Sequence, residues 1–453
     1  MIWRTCVDAD IDLLAVHEAA PQRYPFLLQS AAAHPQSGRW DVLFADPGEA
    51  LLGDADGVRG PGVQSADDNF FTALDRWLVQ EPWLPVQDDI PLIGGWFILL
   101  GYEAARWVEG GLDLPLSPHP LPDALAVRCR SVMIFDRLQR RLHCVSEVGD
   151  AACKRLHADA QAVRGVAASG GAARARVDAR ISEQAPQHFL QGAARVLDYI
   201  RSGDSYQINL SRAWDAELNV ALTPAQLYRQ LRQANPAPFA GLACWGEAAV
   251  ISSSPERLLK LEHRRAQTRP IAGTRRRGDS EAEDQTLRAT LISNVKERAE
   301  HVMLIDLERN DLGRVCVPGS VRVDELMTLE SYAHVHHIVS NVCGDLRSDV
   351  GIGAALRAVF PGGTITGCPK VRSMQIIAEL EGEGRGAYTG SMGYISRDQR
   401  MDSNILIRSM VLTSGHARLR AGAGIVADSN PEFELAETRT KARGLLLALS
   451  AHD

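Results

Sequence analysis

Two segments far apart in this 453-residue chain carry glutamates at the same helical spacing, and they constrain its fold more than any other feature. The first closes a run from Ser254 to Arg314 that begins SPER, passes through QTRPIAGTRRRG and ends in KERAEHVMLIDLERNDLGR. Apolar Leu291, Val295, Val302 and Ile305 lie close to an i, i+4, i+7 rhythm, which predicts a helix with that face toward a core. Glu297 and Glu300, three residues apart, share another face at one level of the helix. The second segment reads RAGAGIVADSNPEFELAETRTKARGLLLAL. Asn430 followed by Pro431 is a helix start, with proline at the first helical position. Glu432, Glu434 and Glu437 follow, and Arg439, Lys441 and Arg443 come toward the far end, as the helix dipole favours. Glu434 and Glu437 repeat the earlier spacing, and Lys441 lies one turn beyond.

Alone, either pair reads as an ordinary solvated acidic face. If the two helices meet, their four carboxylates offer oxygen ligands to one Mg2+, with positions left for water and a substrate carboxylate. The sequence does not show that they meet.

Composition narrows the class. A net charge of -7, with both signs mixed along the chain, argues against nucleic acid as the main partner. The eight cysteines form no CxxC pair and no His/Cys cluster of zinc spacing, so they read as reduced thiols of a cytoplasmic protein. No signal-peptide pattern opens the sequence. The longest apolar run, near Ile93 to Tyr102, is too short to span a bilayer, so no membrane partner is expected.

Three regions emerge from the pattern. Residues 1–163 read as strands and turns with some helix: Arg23 to Ala32 and Arg39 to Pro47 as strands broken by HPQSG, then Ile93 to Glu103 as a buried strand. Residues 164–183 are rich in Gly, Ala and Arg without apolar periodicity, and form the candidate linker. Residues 184–453 open with a helix from about Pro186 to Arg201, and helices are expected at about 286–309, 352–359, 370–380 and 431–449.

Two glycine-rich loops stand out. FPGGTITGCPKVRSMQII places Gly362, Gly363 and Gly367 before Pro369, which opens a helix carrying Lys370 and Arg372. Backbone N–H groups at such a start suit a carboxylate or phosphate, although the Walker spacing is missing. Gly422 and Gly424 end a strand where a small ligand could touch the backbone. Each loop is otherwise a tight turn.

Together, SPER, RPIAGTRRRG, EHVMLIDLERNDLGR, YAHVHHIVS, FPGGTITGCPK, MGYIS, DSNILIR and AGAGIVADSNPEFELAETRTKA resemble, in this order, the chorismate-utilising enzymes. That family includes anthranilate synthase large subunit, aminodeoxychorismate synthase component I, isochorismate synthase and salicylate synthase. The resemblance is close over about residues 186 to 449 and looser before. It implies an α/β fold of the α+β type, a large two-subdomain sandwich of antiparallel sheets with helices outside. It implies that Glu297, Glu300, Glu434 and Glu437 hold magnesium. Lys441 would lie near the substrate carboxylate, with Gly422, Ala423 and Gly424 contacting substrate through the backbone and Ala272 and Gly273 beside it. Tyr388 and Arg408 match the pair that holds the enolpyruvyl carboxylate, a task for which the arginine fork is apt. His337 matches the histidine beside the ring. Thr274 and Thr364 match pocket residues, and Glu256 matches the acid of SPE.

For chorismate, the resemblance implies that Mg2+ neutralises the ring carboxylate, that Glu256 protonates the departing C4 hydroxyl, and that a nucleophile enters. Isochorismate and salicylate synthases carry a lysine where this chain has Ala272, which counts against both. PIAGT, Thr364 and Tyr388 lean toward anthranilate synthase, the alternative. SYQINLSR (Ser205 to Arg212), FPGGTITG, SGRWDVLFADP (Ser37 to Pro47) and the compact N-terminal part lean toward aminodeoxychorismate synthase, the reading adopted. With Ala272 in the lysine's place, water or ammonia would add at C2 before amination at C4. GLACWG around Cys244 lacks the context of a glutaminase nucleophile elbow, so a separate glutamine amidotransferase subunit is expected to deliver ammonia. Ser30, with Asn235, Pro236 and Phe239, matches the tryptophan pocket of anthranilate synthases. Gln29 stands where those enzymes have glutamate, which tells against feedback inhibition. A non-catalytic chorismate or tryptophan sensor is the remaining alternative, and the intact glutamates, His337 and Arg408 argue against it.

Overall fold

Long runs of alternating and continuous apolar residues make this an antiparallel β protein with helices laid on its faces. The computed structural model describes residues 2–31, 38–87, 89–163, 179–219, 222–331 and 335–450, apart from the side chains of Thr274, Lys296 and Val335. Among the described residues, twenty-one strands are joined in one hydrogen-bonded network, and every pairing between them is antiparallel. The expected class, antiparallel sheet with helices outside, is what the chain adopts.

The first 163 residues and the rest are joined through the sheet. Phe26–Gln29 pairs with Phe239–Trp245, and Gly95–Leu100 pairs with Ser391–Ser396. Between them Phe26, Phe44, Phe97, Val250 and Val411 bury one apolar layer, with Phe26 stacked on Phe97 at 4.0 Å between ring centroids. Burial of aromatic area of this kind dominates core energetics. The linker segment is described only from residue 179, and there it is not irregular: Ala179–Glu183 is a strand paired with Gln207–Leu218. Residues 164–178 lie outside the described set, as do residues 34–37 of the HPQSG turn.

Helix positions follow local signals well. Pro186–Arg201 and Pro431–Ala448 both begin with proline in the first turn, and the second is capped by Asn430, whose side chain accepts from Glu432 N and Phe433 N. The helix expected over 286–309 is two, Glu281–Ser293 and Val295–Gly313. Asn294 adopts extended backbone between them, and its side chain accepts from Glu297 N at 3.2 Å, which restarts the helix. The expected apolar stripe fails with the break: Leu291 and Ile305 are buried, but Val295 is 80% exposed and Val302 47% exposed. The buried face of Val295–Gly313 includes polar groups. His301 Nε2 meets Ser340 Oγ at 2.7 Å, and Glu308 and Asp311 lie inside beside Leu304, Leu307 and Leu312. Ser340 beside His301 and Lys370 beside Asp311 offset part of the cost of that burial. All eight cysteines are free thiols, and no helix among the described residues is long and apolar enough to cross a membrane.

Candidate active site

Glu256 sits just past the strand Ala248–Ser254, where Pro255 ends the ladder. Its N–H donates to Ser254 Oγ at 3.2 Å, and its carbonyl accepts from Ile405 N at 3.0 Å, so the backbone is held on both sides. The side chain is buried, and Thr364 Oγ1 donates to Oε1 at 2.9 Å. Burial pushes the carboxyl up to about 7, while the Thr364 hydroxyl, the Ile271 backbone, Lys441 and Arg408 oppose the rise. Glu256 is therefore an acid that still carries a proton near neutrality.

The strand Ile271–Arg276 pairs with Val335–Asp345, and the register shifts between Ala272 and Thr274. Gly273 fills that irregularity with a φ of +64°, a backbone conformation suited to glycine. Thr274 lies opposite His337 in the ladder, although its side chain is outside the described set. His337 is buried and hydrogen-bonded with the Gly273 backbone. Burial, then the nearby Arg408, pushes it down to about 4. The imidazole is thus neutral at pH 7, able to accept a proton or a hydrogen bond without bringing charge.

Tyr388 and Arg408 come from the loops that flank Ser391–Ser396 and Ser409–Thr413. Arg408 is half-buried, and its guanidinium has no hydrogen-bond partner among the described residues. The charged or ionisable groups that act on it are Tyr388, Glu437 and Glu256. The Tyr388 hydroxyl lies against Gly422, 2.8 Å from where a Cβ would stand. Lys441 Nζ, on the C-terminal helix, donates to Gly422 O at 3.1 Å and pairs with Glu437 Oε1 at 2.6 Å. Ala423 turns its methyl the other way, into the cluster of Phe189, Leu210 and Ile425, so this position offers only backbone to the site. The loop of Gly362, Gly363 and Gly367 contributes through Thr364. At its helix start Lys370 Nζ is tied to Asp311 Oδ2 at 2.5 Å and to Val359 O at 3.3 Å.

Of the four glutamates, Glu297 and Glu300 stand on one helix and Glu434 and Glu437 on another; Glu297 reaches Gly273, and Glu437 acts on Arg408. Glu297 is bound by Arg275 through Oε1, and its Oε2 is buried against Gly273 with no described donor. Glu434 Oε1 accepts from Ser429 Oγ at 2.7 Å. Among the described residues, no three His, Cys, Asp or Glu side chains converge closely enough to hold a metal. Arg275 pairs with Glu297 and Lys441 with Glu437, so two of the four carboxylates have a cationic partner. The donor set is nevertheless all oxygen, as a hard divalent cation requires, and Glu297 keeps one buried oxygen unused.

A separate cavity of about 290 Å³ opens beneath the strand Phe26–Gln29. Gln29, Ser30 and Phe239 line it, together with Pro238, Met392 and Tyr394. Asn235 and Pro236 do not: Asn235 Nδ2 donates to Ser253 Oγ at 3.2 Å, away from the cavity. Gln29 is fixed by Asp41, Tyr228 and Arg232 at 3.0 to 3.1 Å.

Two groups near the centre escaped the sequence reading. Gln207 and Asn209, in the SYQINLSR strand, are buried amides whose side-chain oxygens have no partner among the described residues. They pack over Gly424 and Gly422, at 2.7 and 2.5 Å from the Cβ positions those glycines lack. Their i, i+2 spacing on one strand face was the available signal. The second group is Arg385, fully buried, which binds both Glu381 oxygens and stands over the Tyr102 ring. Its spacing of four residues from Glu381 was the local signal.

The sequence profile described as chorismate binding enzyme matches residues 26–447. Anthranilate synthase component 1 of Thermus thermophilus is 43% identical over 407 residues, covering 86% of this chain and 84% of that one. Aminodeoxychorismate synthase component 1 of Bacillus subtilis is 37% identical over 448 residues, covering 96% and 93%. The crystal structure of anthranilate synthase component I from Streptococcus pneumoniae superposes with a TM-score of 0.78 at 30% identity, covering 91% of this chain and 93% of that one. The menaquinone-specific isochorismate synthase of Escherichia coli, at 20% identity and a TM-score of 0.72, with 99% and 95% covered, shares the fold.

Proposed function

This chain belongs to the chorismate binding enzyme family, and within that family we propose that it aminates chorismate to 4-amino-4-deoxychorismate. The observation that carries the substrate class is Arg408, a half-buried guanidinium with no hydrogen-bond partner among the described residues, beside Tyr388. A fork of donors in that state suits a bidentate carboxylate. Lys441 adds a second cationic group near Gly422, and chorismate is a dicarboxylate.

In the reaction proposed, the C4–O bond of chorismate breaks and a C–N bond forms. The leaving hydroxyl takes the proton of Glu256 and departs as water. The nucleophile entering at C2 loses a proton, which returns the carboxylate to its acid form. Burial of Glu256 keeps it protonated long enough to act near neutral pH. Thr364 orients the acid through its 2.9 Å hydrogen bond, and neutral His337 accepts a hydrogen bond or proton at the ring. Ala272 supplies no amine at its position, so water or ammonia forms the bond at C2 as the C4–O bond breaks; ammonia then forms the C4–N bond as the C2 substituent leaves, taking the proton that the entering ammonia gives up. Glu297, Glu300, Glu434 and Glu437 would hold Mg2+, which would supply charge neutralisation at the ring carboxylate and electron withdrawal as the C4–O bond breaks.

SYQINLSR and the near-full-length match to an aminodeoxychorismate synthase component 1 support the product proposed. The second reading, anthranilate synthase component 1, is favoured by Ala272 and by the 43% identical relative of that name. The component 1 names support a separate glutamine amidotransferase subunit as the source of ammonia. The test of the substrate class is chorismate consumption, with ammonium supplied, by the wild type and by Arg408→Ala. Loss of consumption in the variant is expected, and equal rates would overturn the site.

A further inference from the structure

Arg275 is not among the residues read as binding chorismate or metal, yet it meets one of the metal-site glutamates. Its guanidinium pairs with Glu297 Oε1. The other oxygen, Oε2, is buried, has no donor among the described residues, and lies 2.1 Å from the position a Cβ on Gly273 would take. The Glu297 backbone is fixed as well, since its N–H donates to the Asn294 cap at 3.2 Å. One oxygen is therefore held, the chain that carries it is held, and the second oxygen is left buried without a partner. A buried carboxylate oxygen in that state costs free energy unless a ligand uses it.

We propose that Arg275 positions Glu297 for a divalent cation, fixing the carboxylate through Oε1 so that Oε2 is presented to the metal. The inference rests on the reading that these glutamates bind Mg2+. It gives Arg275 a task that a competing counter-ion would not have: a competitor would leave when the metal arrives, whereas a positioning residue stays. The strand supports this assignment. Gly273, two residues before Arg275, has the positive φ and the missing side chain that let Oε2 approach the backbone. Groups that hold a metal ligand in this way govern affinity strongly.

The experiment measures metal binding by the full chain without substrate, with Mg2+ by calorimetry and with Mn2+ by electron paramagnetic resonance. The wild type is expected to bind, Arg275→Gln to bind about 10- to 100-fold more weakly, and Arg275→Lys to recover part of the loss. The metal-free melting temperature of each variant reports folding separately from binding. If Arg275→Gln does not fold, Arg275→Lys alone decides, through affinity between wild type and complete loss. Unchanged affinity in a folded variant overturns the proposal. Tighter binding overturns it too, and makes Arg275 a competitor of the cation. A wild type that binds neither ion overturns the magnesium reading itself, and the inference falls with it.

Discussion

Thr364 Oγ1 donates to Glu256 Oε1 at 2.9 Å, which ties the glycine-rich loop after Phe360 to a buried acid more than one hundred residues earlier. The hydrogen bond favours the charged carboxylate, while burial favours the neutral acid, and burial wins by enough to bring the group up to about 7. Because Glu256 must carry a proton to act, kcat/KM is expected to fall as pH rises through about 7. Thr364→Val removes a donor to the carboxylate, so the alkaline limb should move to higher pH while kcat falls. Glu256→Gln should lower kcat by about 10²- to 10⁴-fold, the usual worth of a general acid. A pH profile unmoved by Thr364→Val would contradict the pairing.

Arg408 bears on binding more than on stability. Having no hydrogen-bond partner among the described residues, it can be replaced without leaving a described carboxylate unpaired. Arg408→Ala should raise KM for chorismate and cost about 1.5–3 kcal/mol in kcat/KM, the worth of a charged hydrogen bond. Its melting temperature should stay within a few degrees of wild type. Arg408→Lys should recover only part of the loss, because an ammonium lacks the fork. Steady-state kinetics and a thermal melt on the same samples check both statements.

Gly422 is set by space. A Cβ there would stand 2.5 Å from Asn209 Oδ1 and 2.8 Å from both Leu210 O and the Tyr388 hydroxyl. Leu210 O belongs to the sheet and cannot yield easily. Gly422→Ala is therefore expected to displace Tyr388 and to weaken chorismate binding at least tenfold, read as the dissociation constant by calorimetry. Retention of wild-type affinity would show that the contact is not part of the site.

Glu103 gives the fold a pH signature. Its Oε1 accepts from Arg385 N at 2.6 Å and Gly386 N at 3.2 Å, inside the layer that joins the N-terminal region to the Tyr388 loop. Burial, then the Asp123 charge, raises it from an ordinary value of 4.5 to about 7. The folded chain thus keeps a proton that the unfolded chain releases, and stability is lost as pH rises from about 4.5 to about 7. Glu103→Gln should make that slope shallower, measured as urea midpoints at several pH values. The same slope in the variant would assign the pH dependence elsewhere.

What the sequence disclosed follows how local each cause is. Pro186, Asn430 and Pro431 located helix starts because a cap is decided within four residues. The break at Asn294 was missed because hydrophobic periodicity continues across it. Only the cap hydrogen bond to Glu297 N separates the two helices. Residues at the centre come from strands and helices up to about two hundred residues apart, so the motifs, not spacing, brought Glu256, His337, Arg408 and Lys441 together in the reading. Arg275 on Glu297 joins a strand to a helix and leaves no periodic trace, while the four-residue spacing of Glu381 and Arg385 and the two-residue spacing of Gln207 and Asn209 do not disclose their burial. The residues that match a tryptophan pocket in the sequence divided for the same reason: Ser30 and Phe239 reach the cavity, while Asn235 points to Ser253.

The most direct test of the central claim is product identity. Purified chain would receive chorismate, Mg2+ and ammonium, and the products would be separated by mass and fluorescence. The reaction proposed here gives 4-amino-4-deoxychorismate, convertible to p-aminobenzoate by an added lyase. Fluorescent anthranilate with an equal amount of pyruvate would contradict it and make this chain an anthranilate synthase component.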